Sequence, residues 1–277
     1  MASLYGYGLK VGMLDMAHGR MKDSLKHLLI PMSYWRTAEY GFVFDEARFQ
    51  PGDRVLDIGS PKLPSLFIAH HIHSTVYSTD IDSYFIPEYA ALGKWEGLKD
   101  SEFHVEAQDG TQLTYPDSSF DKVYSVSVIE HIPGAGDSAC LREIARVLKP
   151  GGSCYITVPF AHKYEDQMRP AQKVYWASHT EDDGDGMVFF QRRYSEAALH
   201  ERLIAPSGLR VRRLAYIGEK LLPHDKRELF ERLPFAVYVM LGLVQTPLAH
   251  LLLTPPTDDL KTLRKPLCAC LVLEKPA

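Results

Sequence analysis

From about residue 50 onward, short apolar runs alternate with segments of helical spacing. DRVLDIG, after the turn Pro51-Gly52, is a β-rich run, LFIAHHI has helical spacing, and STVYSTDID is β-like again. EFHVEAQD and FDKVYSVSVI predict two further strands, and SCYITVPF another. Between them DSACLREIARVLKPGG predicts a helix, with Asp137 as its N-cap and Lys149-Pro150-Gly151-Gly152 as its stop. Strands that alternate with helices imply parallel βαβ units with right-handed crossovers. Near-continuous apolar strands such as VYSVSVI suit a sheet covered on both faces, so the expected class is α/β, Rossmann-like.

The flanks follow other patterns. Residues 1–49 predict an N-terminal helical cap, with the apolar spacing of DSLKHLLIPMSYWRTAEYGFVFDEARF broken at Pro31. The remaining 50–277 form the sheet domain, with insertions expected at about 160–193 and 219–262. RRYSEAALHERLIAPSGL reads as a helix capped by Ser195 and ended at Pro206-Ser207-Gly208. RVRRLAYIG and LCACLVLEK are two late strands.

Between these strands lies an uncharged run, Leu233 to Thr257. Its length reaches that of a membrane span, about twenty residues, but Pro234, Gln245, Pro247 and His250 interrupt it. A buried helical pair or substrate lid is the plainer reading. A peripheral membrane patch, an opening for a lipid-like acceptor or a homodimer surface are the others.

Charge and composition narrow the partners. A formal net charge of −4 gives no global reason to expect nucleic acid. Cys140, Cys154, Cys268 and Cys270 make no CxxC; Cys140, Cys154 and Cys270 sit in apolar runs and read as reduced core residues of a cytoplasmic protein. EDDGDG, from Glu181, mimics the start of a calcium loop, but the twelfth position is Arg192 rather than Glu, so no metal site is expected. His70, His71 and His73 point to a surface rather than to a ligand set.

VLDIGSPKLPS, residues 55–65, is the informative loop. Ligands of open α/β sheets bind at the carboxyl ends of the strands, so Asp57, Gly59 and Ser60 should border one. A dinucleotide needs backbone N–H groups close to its pyrophosphate, and Pro61 and Pro64 have none. There is no GxxxxGK[ST] either. The loop favours an adenosine ligand without phosphates, of which S-adenosylmethionine (SAM) is the obvious one. Asp80 ends the second strand about twenty residues after Gly59, where an acidic residue grips ribose hydroxyls. Ile81 would pack on adenine, Asp109 would accept from its amino group, and Gly110 would leave room for the ring. Ser125, Val126 and Ser127 would line the methionine side.

The ordered set VLDIGS, STDID, AQDGTQLTYPDSSFD, EHI and LREIARVLKPGG resembles the class I SAM-dependent methyltransferases, nearest the small-molecule branch of the ubiquinone and menaquinone enzymes. The resemblance covers roughly residues 50–160. It implies a seven-stranded, mostly parallel sheet with helices on both faces and an antiparallel last strand. It also implies SAM contacts at Asp57, Gly59, Asp80, Asp109 and Ser125. The usual D-x-G-x-G-x-G is here D-I-G-S-P-K-L, which leaves Lys62, or Arg36 from the helical cap, to hold the methionine carboxylate.

The expected activity is methyl transfer to a small or lipid-like acceptor. His131, in EHI, is the candidate base, and a pocket-lining role is its alternative. Two other readings compete. One is a SAM-fold partner protein that has lost catalysis. The other is a nicotinamide-dependent oxidoreductase, against which stand the prolines of the loop and the late position of the Tyr216–Lys220 pair.

Overall fold

The computed structural model describes residues 2–29, 32–60, 62–174, 185–220, 237 and 249–277. The first five strands are β1 (Arg54–Ile58), β2 (Thr75–Asp80), β3 (Phe103–Ala107), β4 (Phe120–Val126) and β5 (Leu148–Pro159). They pair in parallel in the order β3-β2-β1-β4-β5. A hairpin of β6 (Glu165–Pro170) and β7 (Met187–Arg193) stands apart. β8 (Arg210–Gly218) forms the far edge, and β9 (Pro266–Glu274) slots between it and β5, antiparallel to both. The sheet is therefore seven-stranded with an antiparallel last strand, as the family resemblance implied.

Side chains on a strand alternate between faces, so a sheet covered on both sides needs apolar residues at successive positions. β9 shows the pattern. Cys268, Cys270 and Val272 enter one core, and Ala269, Leu271 and Leu273 enter the other. The first core is covered by α1 (Ala2–Ala17), α3 (Tyr34–Ala47), α4 (Leu63–Phe67, continued by a wider turn at Ile68–Ile72) and α5 (Ile86–Trp95). α2 (Met21–Leu29) packs on α1. The second core is covered by α6 (Gly136–Val147) and by the turns α7 (Glu196–Leu199) and α8 (Ala205–Ser207), joined at His200–Ile204. α6 buries Cys140, Leu141, Ile144 and Val147, the i, i+1, i+4, i+7 stripe of an amphipathic helix. All four cysteines are free and buried.

Two expectations change. Asp137 is not a cap: it lies inside the first turn of α6, fully buried. Its carboxylate accepts from Tyr194 Oη at 2.9 Å and from Arg202 Nε and Nη2, both at 2.8 Å. The stretch 160–193, read only as an insertion, contains the hairpin β6–β7. Its core-facing anchor is Arg192, whose guanidinium donates to the carbonyls of Ile132 and Gly134 and whose Nε lies 3.7 Å from Asp137.

Two features singled out in the sequence fall on residues outside the description, wholly or in part. Of EDDGDG, Glu181–Gly184 lie outside it. Of the run 233–257, only residue 237 and residues 249–257 lie within it. There Ala249 and Leu253 are buried in the first core, and Leu251 is exposed. Among the described residues no helix is long and apolar enough to cross a membrane.

Asp137 holds the hairpin, α6 and the turn after α7 together, and its loss would leave the buried Arg192 charge with only the half-exposed Asp166 carboxylate, also 3.7 Å away, and would unpair Tyr194 and Arg202. Breaking a buried ion pair from one side costs about 3–5 kcal/mol. Asp137→Ala is expected to lower the urea-unfolding free energy by about 3 kcal/mol or more. A loss of about 0.5 kcal/mol or less, the range of surface substitutions, would contradict this role.

Candidate active site

A cavity of about 570 Å³ opens at the carboxyl ends of β1–β4. One wall comes from strand ends: Gly59, Ser60, Lys62, Asp80, Ile81, Asp109 and Gly110. The rest of the lining includes Lys26, His27 and Arg36 from α2 and α3, His131 from the turn after β4, and Phe190 and Gln191 from β7. Of the residues predicted from sequence, Arg36, Gly59, Ser60, Asp80, Ile81, Asp109, Gly110 and His131 thus border a single space. Asp57, Ser125 and Val126 do not.

Those three build the loop from beneath. Asp57 is fully buried; it accepts from the Ser60 N–H at 3.2 Å, Ser65 Oγ at 2.5 Å and Ser78 Oγ at 3.3 Å. Ser125 Oγ donates to the Ile58 carbonyl at 2.9 Å, and the Val126 N–H donates to Ser60 Oγ at 2.8 Å. The turn between β1 and α4 is thereby tied to β4 by side chains. Gly59 sits at φ +68°, and a Cβ there would come within 2.4 Å of Val128 Cγ1, so only glycine fits. Gly110 also has a different reason than the one expected. A Cβ there would meet Ile58 Cγ2 at 3.2 Å and Cys140 Sγ at 3.3 Å, so this glycine lets the loop after β3 settle on the core.

Lys62 shows how the loop manages with one glycine. Its side chain is buried and its ammonium donates to the Thr79 carbonyl. It lies 3.7 Å from Asp80 Oδ2 and 4.6 Å from the centre of the Phe85 ring. Burial pushes the Lys62 pKa down, opposed by the charges of Asp57 and Asp80. Burial pushes Asp57 up, opposed first by Lys62 and then by its hydroxyl and N–H donors. Burial raises Asp80 as well. Lys62 is therefore directed at the end of β2, not into the space beside Gly59. Arg36 stands at the end of β4, where Nη1 donates to the Val126 carbonyl at 3.0 Å and to Glu39 Oε2 at 3.0 Å. Glu39, almost fully buried, also accepts from Thr157 Oγ1 at 2.9 Å and from Ser127 Oγ. This network fastens the helical cap to the ends of β4 and β5.

His131 ends a single turn, Ile129–His131. Its Nδ1 lies 2.6 Å from the Phe190 carbonyl, which can only accept, so Nδ1 carries the proton. Nε2, the other ring nitrogen, lies 3.8 Å from Glu130 Oε1. Sequence reasoning had no means to see Phe190 as the partner, because the hairpin that carries it has no motif. His27, Glu88 and Tyr89 were missed for the same reason: they face the cavity by packing of the cap against α5.

The donor set fits an adenosine cofactor. Asp80 and Asp109 are carboxylates at neighbouring strand tips, and Ile81 between them is 48% exposed, an apolar face open to the cavity. The Tyr216–Lys220 pair does not line the cavity, and Tyr216 Oη is engaged with Glu196 at 3.2 Å.

The buried charges give a pH signature. A carboxyl raised in the folded state makes folding weaker as pH climbs from the unfolded value, about 3.9 for Asp, through the folded one. Lys62 opposes that rise at Asp57. In Lys62→Met the Asp57 window should extend to higher pH, so the stability gap to the wild type should widen from acid to neutral pH in urea titrations. A gap independent of pH would contradict the coupling.

Comparison with known proteins agrees with this geometry. Residues 56–156 match the family described as "Methyltransferase domain". Cycloartenol-C-24-methyltransferase of Arabidopsis thaliana is 36% identical over 103 residues, 37% of this chain and 30% of that protein. Phosphoethanolamine N-methyltransferase 2 of Caenorhabditis elegans is 29% identical over 175 residues, 56% of this chain and 38% of that protein. The chain thus spans well under half the length of either relative. Among solved structures, the cyclase SpnF superposes with a TM-score of 0.55 at 18% identity, over 88% of this chain and 81% of that one, which establishes the shared fold. Residues 56–156 thus match a methyltransferase domain, and the motif order and sheet topology agree with the class I, SAM-dependent type.

Proposed function

We propose that the protein transfers a methyl group from SAM to a small or lipid-like acceptor. The observation that carries this reading is the shared cavity: carboxylates from strand ends and a histidine held through Nδ1 line one space. Asp80 would take the ribose hydroxyls, Asp109 the adenine amino group and Ile81 the adenine face. Arg36, with donors to spare at the end of β4, would meet the methionine carboxylate, whereas Lys62 is committed to Asp80. When bound, SAM supplies a sulfonium methyl with an excellent leaving group, so the protein's task is mainly alignment.

His131 supplies the base. The Phe190 carbonyl keeps the proton on Nδ1, so Nε2 is the atom that takes the proton: from a hydroxyl or ammonium acceptor as it attacks the sulfonium methyl, or, where a carbon is methylated, from the carbon skeleton after transfer. The nearby Glu130 carboxylate stabilises the imidazolium that results. The relatives support the acceptor class: one is named for a sterol carbon and the other for phosphoethanolamine nitrogen. The cavity suits both in kind, with Leu63, Tyr84, Phe85 and Ile132 beside Lys26 and Glu88.

Methyl-labelled SAM offered with a sterol in detergent micelles and, separately, with phosphoethanolamine should yield a labelled product from at least one. With that acceptor, His131→Gln is expected to lower kcat by about 10²–10⁴-fold, the span of general base catalysis, and to leave S-adenosylhomocysteine (SAH) affinity unchanged. Unchanged turnover in the variant would remove His131 as the base. Tight SAH binding with no transfer to any acceptor would favour the non-catalytic partner protein.

A further inference from the structure

His27 sits in α2 of the helical cap, 4% exposed, and borders the cavity. Its Nδ1 lies 2.8 Å from Oδ2 of Asp15, a fully buried carboxylate of α1. A carboxylate at that distance receives the Nδ1 proton, which fixes both the tautomer and the ring plane. Nε2, on the other ring edge, has no hydrogen-bond partner among the described residues. The arrangement is the orienting carboxylate and aimed imidazole familiar from catalytic sites, but it comes from the cap. No strand-end motif announces it.

His27 reaches the cavity from a different element than the cofactor positions do. The cofactor positions of the proposed function, Gly59, Asp80, Ile81, Asp109 and Gly110, all come from the loops at the strand ends. His27 and Lys26 enter from α2, together with Glu88 and Tyr89 of α5. The charged groups around the ring are Asp15 on α1, Arg20 in the α1–α2 turn, Asp23 and Lys26 on α2, and Glu88 on α5. Arg20 is already held by Asp23 at 2.7 Å and lies 3.7 Å from both Asp15 and Glu88. Three carboxylates against two cations do not make a seat for an anion. In the uncharged form of the ring, with Nδ1–H tied to Asp15, Nε2 is an acceptor atom, which calls for a donor on the ligand.

We propose that the Asp15–His27 pair is the acceptor-recognition element, with His27 Nε2 accepting a hydrogen bond from a hydroxyl or amino group of the methyl acceptor. This rests on the methyltransferase reading above. His27 touches the acceptor and sets its orientation, Asp15 is a positioning residue that acts through His27, and His131 keeps the role of base.

Two substitutions separate this role from a structural one. Asparagine at position 27 keeps a donor near Asp15 and loses the distal acceptor atom, whereas glutamine keeps an acceptor at the Nε2 position and loses the link. With phosphoethanolamine or a sterol as the probe, His27→Asn should raise KM by about tenfold, the worth of one such hydrogen bond, with kcat within about threefold. His27→Gln should recover part of that loss. The probe that responds tells amino from hydroxyl recognition.

SAH affinity by calorimetry should match the wild type in both variants. His27 should stay reactive to diethyl pyrocarbonate when SAH saturates the protein, read by peptide mass spectrometry even if neither probe turns over. In nitrogen NMR the ring should be Nδ1-protonated in the wild type and a tautomer mixture in Asp15→Asn. Protection of His27 by SAH, a tenfold loss of SAH affinity in His27→Asn, or a KM that does not move would overturn the proposal. Failure of the wild type to bind SAH at all would instead overturn the methyltransferase reading.

Discussion

The cavity is organised by a buried ammonium. Lys62 stands among the carboxylates of Asp57 and Asp80 and the Thr79 carbonyl, with the Phe85 ring beneath it. Two carboxylates withdrawn from water at adjacent strand ends would repel each other and hold their protons. The lysine lets both stay near the ligand wall. It also occupies the stretch of loop where related proteins use glycine to bring backbone close to a ligand. Here the backbone turns once, at Gly59, and side chains do the rest: Ser60 and Ser125 bind the loop to β4, and Asp57 gathers Ser60, Ser65 and Ser78. Such a loop offers few N–H groups to a pyrophosphate. It suits a nucleoside gripped by carboxylates at its sugar and its base.

A second buried carboxylate joins the helical cap to this frame. Glu39 of α3 reaches the ends of β4 and β5 and takes hydrogen bonds from Arg36, Ser127 and Thr157. Taking a carboxylate out of water costs several kcal/mol unless its oxygens are satisfied, so the cap cannot drift without exposing that debt. The cap therefore behaves as part of the site. It brings both Arg36 and His27 to the cavity lining. The hairpin β6–β7 is fastened in the same way, through Arg192 to the carbonyls of Ile132 and Gly134, and it supplies the Phe190 carbonyl that sets the His131 tautomer.

Every strand of the sheet was legible: β4, β5 and β9 as apolar runs buried on both faces, and β2, β3 and β8 as shorter β-rich runs with polar residues among them. The glycine at position 59 and the acidic strand ends at Asp80 and Asp109 were legible for a different reason: they sit at fixed offsets from those strands. Elements whose shape depends on partners far away in sequence were not legible. α5 carries Pro87 in its first turn and no clean periodicity, and it is a helix because Tyr89 and Leu92 pack on the first core. The hairpin β6–β7 joins a polar strand, EDQMRP, to a mixed one, MVFFQRR, and the two pair with each other and not with the sheet. Asp137 has the residue type and place of a cap, yet tertiary contacts with Tyr194 and Arg202 claim its oxygens. Asp57, Ser125 and Val126 were placed correctly at strand ends, but which side of the loop each faces is decided by packing.

The central claim is that a loop with one glycine and a buried lysine makes a cavity for adenosine without phosphates. Calorimetric titration of the full chain with SAH and with NADH tests it most directly. The account predicts a saturable heat with SAH and none with NADH at the same concentrations. A site that takes NADH and ignores SAH would contradict it.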